Sequence, residues 1–209
     1  MSTEEALRYI AGDDPRPLLV LRECLTCNGT DDALLTRKED NERTMLLSRW
    51  FHCVKLAPAV IETDHPFHAL FAGDSPAHLF VAQSGGQVRV ELKGDQSRTE
   101  LWGAMNGALA LAYEKVTDKG PKGALGQLYK LLDKLDQVDE AILLVQRRLE
   151  DEAEDDGLNT RKARKLTAKL QELREERAEF RAEADKASAL KLRKVEEADA
   201  VASGSSQKD

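Results

Sequence analysis

Leu125, Leu128, Leu132, Leu135, Val138, Ile142, Val145 and Leu149 follow one another at steps of 3, 4, 3, 3, 4, 3 and 4 residues, the tightest constraint on fold that the chain carries. Only an α-helix returns these side chains to one face, and a mean step near 3.5 residues makes that face the seam of a coiled coil with one residue missing. Such a helix spans roughly 45 Å and cannot bury the seam by itself. Asp155, Asp156 and Gly157 interrupt the pattern. Leu166, Leu170, Leu173, Phe180, Ala184 and Ala187 then resume a weaker seam to about Val201, with Arg177 at one of its core positions. Two long helices joined by a short turn predict an antiparallel coiled-coil hairpin over 124–202, with a disordered tail at 203–209.

The charges at the hairpin tip agree with that fold. Glu150 to Asp156 puts anions at a helix C-terminus, and Arg161, Lys162, Arg164 and Lys165 put cations at a helix N-terminus, so each helix alone opposes its own macrodipole. Folded back, the two sets face each other. The net charge of −7 argues against a nucleic-acid binder, and residues 122–209 hold 18 Lys and Arg against 20 Asp and Glu, so neither half is a polycation. No apolar run reaches the roughly 18 residues a bilayer span requires, and Met-Ser-Thr-Glu-Glu-Ala has neither part of a secretory leader. These features predict a cytoplasmic protein with no membrane partner, in which cysteines rest as thiols.

Ahead of the seam, Lys119, Gly120, Pro121, Lys122 and Gly123 punctuate the chain, which predicts a linker at 118–123 and a separate domain at 1–117. Within that domain Ser2 with Glu5, and Ser97 with Glu100, are capping-box pairs. They open helices through Ala6, Leu7 and Ile10, and through Leu101, Met105, Leu109 and Ala112. Further helices are expected from Thr30 through Ala33, Leu34 and Leu35, and from Asn41 to Phe51. Strands are expected at Leu18 to Leu21, Val54 to Leu56, Ala77 to Val81, and Val88 to Leu92, with a turn at Gln83 to Gly86 and a short helix or turn at Pro66 to Phe71. Alternation of helices and strands over this length is an α/β layout.

The first strand delivers two cysteines spaced C-x-x-C, Cys24 and Cys27. That spacing closes a small ring when oxidised and leaves the second thiol in place to displace a mixed disulfide. Three readings stand side by side: a redox pair, a structural pair, or part of a metal set recruiting Cys53, His52, His65 or His68. Cys53 is expected to point into the core beside Val54 and Leu56, and His78 to be a half-buried packing residue. Gly85 and Gly86 make a hairpin turn and not a phosphate cradle, since no helix follows them directly.

The order of elements, the strand that runs into Cys24-Leu25-Thr26-Cys27, and Ser75-Pro76 before a later apolar strand together resemble a thioredoxin-like domain. The nearest branch is that of the C-terminal domains of bacterial transmembrane thiol reductases, in which the middle residues of the motif vary. The resemblance covers about residues 3 to 115. It implies an α/β fold with a thioredoxin-like central sheet flanked by helices, followed here by the long helical hairpin. It also implies that Cys24 attacks and Cys27 resolves, that Pro76 is a cis-proline packed against them, and that Ser75 offers its backbone to an extended substrate. Glu23 stands before the first cysteine, where the family usually has tryptophan. The implied activity is thiol–disulfide exchange on a protein disulfide, without cofactor or metal, with the hairpin serving a homodimer or a docked partner. The competing expectation is a non-catalytic scaffold that works through its hairpin.

Overall fold

The computed structural model describes residues 1–24, 34, 35, 41–114, 120–155 and 157–193, and at their centre Leu18–Arg22 forms strand β1, buried along its whole length. Its four apolar residues Leu18–Leu21 are buried on both faces because strands pair on both its edges and other elements cover both faces of the sheet. β1 pairs in parallel with β2 (His52–Leu56) and antiparallel with β3 (Leu79–Ala82), and β3 pairs antiparallel with β4 (Val90–Leu92). The described residues thus form a four-stranded mixed sheet in the order β2-β1-β3-β4, with β3 alone reversed. The parallel β1–β2 pair requires a crossover. Helix α2 (Glu42–Ser48) lies within it.

Alternation along the strands sorts their side chains onto two faces. Leu18, Val20, Phe80 and Ala82 share one face with Ala6, Leu7 and Ala11 of α1 (Thr3–Ala11), and with Val60, Leu70 and Phe71. Leu70 ends a single tight turn of helix at His68–Leu70, and Phe71 follows it as its C-cap. On the other face Leu19, Leu21, Leu79 and Val81 are buried as well, and α3 (Arg98–Ala112) packs against β3 and α2. Each fully buried Leu, Val or Phe contributes about 1.5–3 kcal/mol, so both faces matter to stability. Both capping boxes form as the sequence predicts: Ser2 and Ser97 accept from the backbone of Glu5 and Glu100, whose carboxylates bond back to the cap backbone.

Several boundaries differ from the expectation. α2 is shorter than Asn41 to Phe51, because β2 starts early, at His52, with the backbone N–H of His52 donating to Pro17. Val88 lies outside β4, held at φ 49° beyond the turn in which the N–H of Gln83 donates to the carbonyl of Gln87. Leu34 and Leu35 are not in a helix. The rest of the helix expected from Thr30 lies outside the described residues, as do Asp156, positions 118 and 119 of the linker and the tail at 203–209.

Contacts divide the chain into two compact units, Met1–Pro121 with Leu190–Asp209, and Lys122–Ala189. The expected linker at 118–123 differs in its second half, where α4 runs from Gly120 to Asp155 with Pro121 in its first turn. Proline is tolerated there because the first turn has no intrahelical acceptor for its missing N–H. The expected hairpin end at 202 also moves. Helix α5 runs from Arg161 to Ser188, after which Leu192 bridges to Tyr113. The N–H of Glu114 donates to Lys191 and that of Arg193 to Ala112, so the chain rejoins the first unit.

Within the second unit, α5 runs back along α4. Glu152 meets Thr160 and Lys162, Asp139 meets Arg177, and Lys134 sits over the ring of Phe180. Val138 and Val145 pack with Leu170 and Leu173, joined by Ile142, Leu166 and Phe180. Arg177, expected at a core position, instead reaches out to an ion pair with Asp139. Of the four tip cations, Lys162 pairs with Glu152 across the turn, and Arg164 donates to the carbonyl of Asn159. Gly157, at φ 82°, lets the chain leave α4 while its N–H caps the carbonyl of Glu152.

Candidate active site

The parallel ladder of β1 continues one residue past the strand, since the N–H of Glu23 donates to the carbonyl of Leu56 at 2.9 Å. Cys24 follows at once, half-buried and disulfide-bonded. Cys27 lies outside the described residues. On the other side of β1, the N–H of Arg22 donates to the carbonyl of His78 at 2.8 Å, which brings the chain just after Pro76 alongside the end of the strand.

The residue that ties these segments together is one the sequence did not single out. Arg22 is 6% exposed. Its Nε donates to the carbonyl of Ala77 at 3.0 Å, Nη2 to that of Pro76 at 3.4 Å and Nη1 to that of Glu23 at 3.4 Å. The guanidinium also lies 5.9 Å from the ring centroid of Phe71, whose neighbour Phe80 carries Arg89 at 4.3 Å. Burial lowers the pKa of Arg22, while its bonds to carbonyls work the other way by favouring the charged form. An arginine at the end of an apolar strand reads in sequence as the strand's exit into water. Tertiary pairing on both sides instead closes over it.

The two sequence-predicted substrate contacts sit beside this fork. Ser75 is exposed, Pro76 half-buried and Ala77 buried. Every peptide bond among the described residues is trans, so the cis-proline implied by the resemblance is not what stands at Pro76. Its position is held by Arg22 rather than by a cis bond. His78 is half-buried, as expected, with its pKa lowered first by burial and then by the Arg22 cation, while Asp95 opposes both. Gly94, at φ 105°, packs on its ring, and a Cβ there would stand 2.9 Å from His78 Cγ. Glu23, whose charge opposes a thiolate next door, is paired with Lys55 of β2 at 3.0 Å.

Cys53 departs from its expected place. In β2, Val54 and Leu56 turn to the packed face, so by alternation Cys53 and Lys55 take the opposite one. Cys53 is an exposed residue with a free thiol, its Sγ 3.5 Å from the carbonyl of Ser48, and desolvation of the sulfur raises its pKa against the nearby Arg16 cation. The residues considered for a metal set have other partners. His52 Nδ1 contacts Asp14 at 2.9 Å, His65 Nδ1 accepts from the N–H of Phe67, and His68 Nδ1 contacts the carbonyl of Ile61. Among the described residues no group of three or more His, Cys, Asp or Glu is placed to hold a metal. No helix among them is long and apolar enough to cross a membrane.

These elements define a mixed α/β protein with a disulfide-bonded cysteine at the C-terminal end of its central strand. Compared with family models, with curated proteins and with solved structures, the chain matches none.

Proposed function

We propose that the chain is a thiol–disulfide oxidoreductase with a thioredoxin-like domain and an antiparallel coiled-coil arm that docks a partner or a second copy. The observation that carries this reading is a disulfide-bonded Cys24 at the end of β1, next to a Pro76–Ala77 segment fastened to that strand by Arg22. A parallel strand–helix–strand unit, an antiparallel strand pair and a closing helix give the element order on which the resemblance rests.

In the reaction, the Cys24 thiolate attacks one sulfur of a substrate disulfide and forms a mixed disulfide, while the other sulfur leaves as a thiolate and takes a proton. The Cys27 thiolate then attacks Cys24 Sγ, which frees the second substrate thiol and leaves the enzyme's pair oxidised. One substrate disulfide gains two electrons and the enzyme dithiol loses two. A thiol reductant such as a small-molecule dithiol restores the enzyme, and in a reducing cytoplasm the dithiol is the resting form. Ser75 and Pro76 would receive the substrate backbone beside the attacked sulfur.

The test is trapping. With Cys27→Ser, a disulfide-bearing peptide should accumulate as an adduct on Cys24 that dithiothreitol releases, and Cys24→Ser should form none. Absence of any Cys24 adduct, together with full retention of function in Cys24→Ser, would remove the enzyme reading.

A second reading has its own observation. On α4, Leu143 and Leu144 are 57% and 50% exposed, beside a groove of about 370 Å³ lined by Asp139, Ile142, Leu143, Arg174 and Arg177. These features support a scaffold whose hairpin binds a protein partner. It requires that a charge at Leu143 abolish partner binding while Cys24→Ser leaves it intact, as read by calorimetry or co-purification.

A further inference from the structure

Arg22 is a buried cation with no carboxylate partner among the described residues, and each of its hydrogen bonds goes to a backbone carbonyl. Desolvating a charge is costly and carbonyl dipoles compensate it only in part. Neutral donors could fasten the same carbonyls at lower cost, so the charge itself calls for an explanation. Its position supplies one. Cys24 lies two residues on, just past a ladder still held at Glu23, and backbone extended to that point sets the two Cα atoms about 7 Å apart.

We infer that Arg22 is a positioning residue for the Cys24 thiol: its fork fixes the Pro76–Ala77 segment against the end of β1, and its desolvated charge favours the Cys24 thiolate. This deepens the oxidoreductase reading and rests on it for its chemical purpose. Among the described residues, the other charges facing the site leave Arg22 unbalanced. Glu23, on the same segment, is neutralised by Lys55 of β2 at 3.0 Å. His78, at the entry to β3, is pushed towards its neutral form by burial and by Arg22 itself. Asp95, beyond β4, acts on His78 in the opposite sense. A thiol beside such a charge ionises at lower pH, and the nucleophile is then present where the protein works.

The experiment uses the full chain carrying Cys27→Ser and Cys53→Ser, so that Cys24 is the sole thiol, and follows the rate of iodoacetamide alkylation against pH. Arg22→Met should raise the midpoint by about one pH unit, the effect of one nearby charge. Arg22→Lys, which keeps the charge, should restore most of it. Arg22→Gln, a neutral residue that keeps polar donors, should behave like Arg22→Met and answers the same question if the methionine variant fails to fold. An unchanged midpoint in a folded neutral variant would overturn the inference. Reduction of a peptide disulfide by the otherwise unaltered protein is measured in parallel. A midpoint shift without turnover would sink the oxidoreductase reading and keep the effect of the cation, whereas turnover without a shift would do the reverse.

Discussion

At the scale of single residues, burial and backbone sign decide what a substitution does. Gly94 sits at φ 105° with His78 Cγ 2.9 Å from where a Cβ would be, so Gly94→Ala meets both a strained backbone and a clash. It should cost about 1–3 kcal/mol, read as a lower urea midpoint. Gly103 is the contrast: it lies inside α3, and an added Cβ there meets nothing within 4 Å. Gly103→Ala should therefore stabilise by about 0.5–1 kcal/mol, by cutting the entropy of the unfolded chain. Asp14 supplies a pH dependence. It bonds the side chain and N–H of Arg16 and contacts His52, and the Arg16 bond above all holds its carboxyl well below the usual carboxylate range. A carboxylate with a depressed folded pKa stabilises fully above its unfolded value, about pH 4, and loses that contribution as pH falls below it. Asp14→Asn should cost about 2 kcal/mol at pH 7, and its gap from the parent protein should narrow steadily below pH 4 in urea titrations.

At the scale of elements, ends matter more than middles. Thr160 caps α5 by accepting from the N–H of Ala163, and its hydroxyl donates to Glu152, which is buried at the end of α4 and also paired with Lys162. Thr160→Ala removes both bonds and should cost about 1 kcal/mol. Amide exchange should speed up at the tip and be unchanged at Leu101 and Met105 of α3. Such ends were largely legible: Ser2 with Glu5, Ser97 with Glu100 and the turn at Gly157 are local patterns whose partners lie within a few residues. Less legible were elements whose limits depend on a distant strand. β2 starts at His52 because Pro17 accepts its N–H, and the face that Cys53 takes follows from that register, which no pattern around Cys53 reveals.

At the scale of the whole molecule, the excursion through α4 and α5 leaves the first unit after Pro121 and rejoins it at Leu190, where residues 191–193 pair with 112–114. Beside that pairing, the hydroxyl of the buried Tyr113 donates to the carbonyl of Trp50 at 2.8 Å. The α/β unit has its own core, so replacing residues 122–189 by a short Gly/Ser linker should leave it folded, with near-UV dichroism retained and helix content reduced. Stopping the chain after position 119 should do worse, since it also removes the segment paired with Tyr113. The comparison of thermal midpoints between the two truncations checks this.

The sequence alone determined the capping boxes, the apolar central strand, the long seam and the C-x-x-C at the strand's end, because each rests on periodicity or on bonds between near neighbours. Tertiary structure decided the rest. It brought the chain back to the first unit after the seam, turned Cys53 away from the core and buried Arg22 against Pro76 and Ala77. Each of these depends on which distant strand supplies hydrogen bonds and which side chains exclude water, and that free energy exists only once the sheet has assembled.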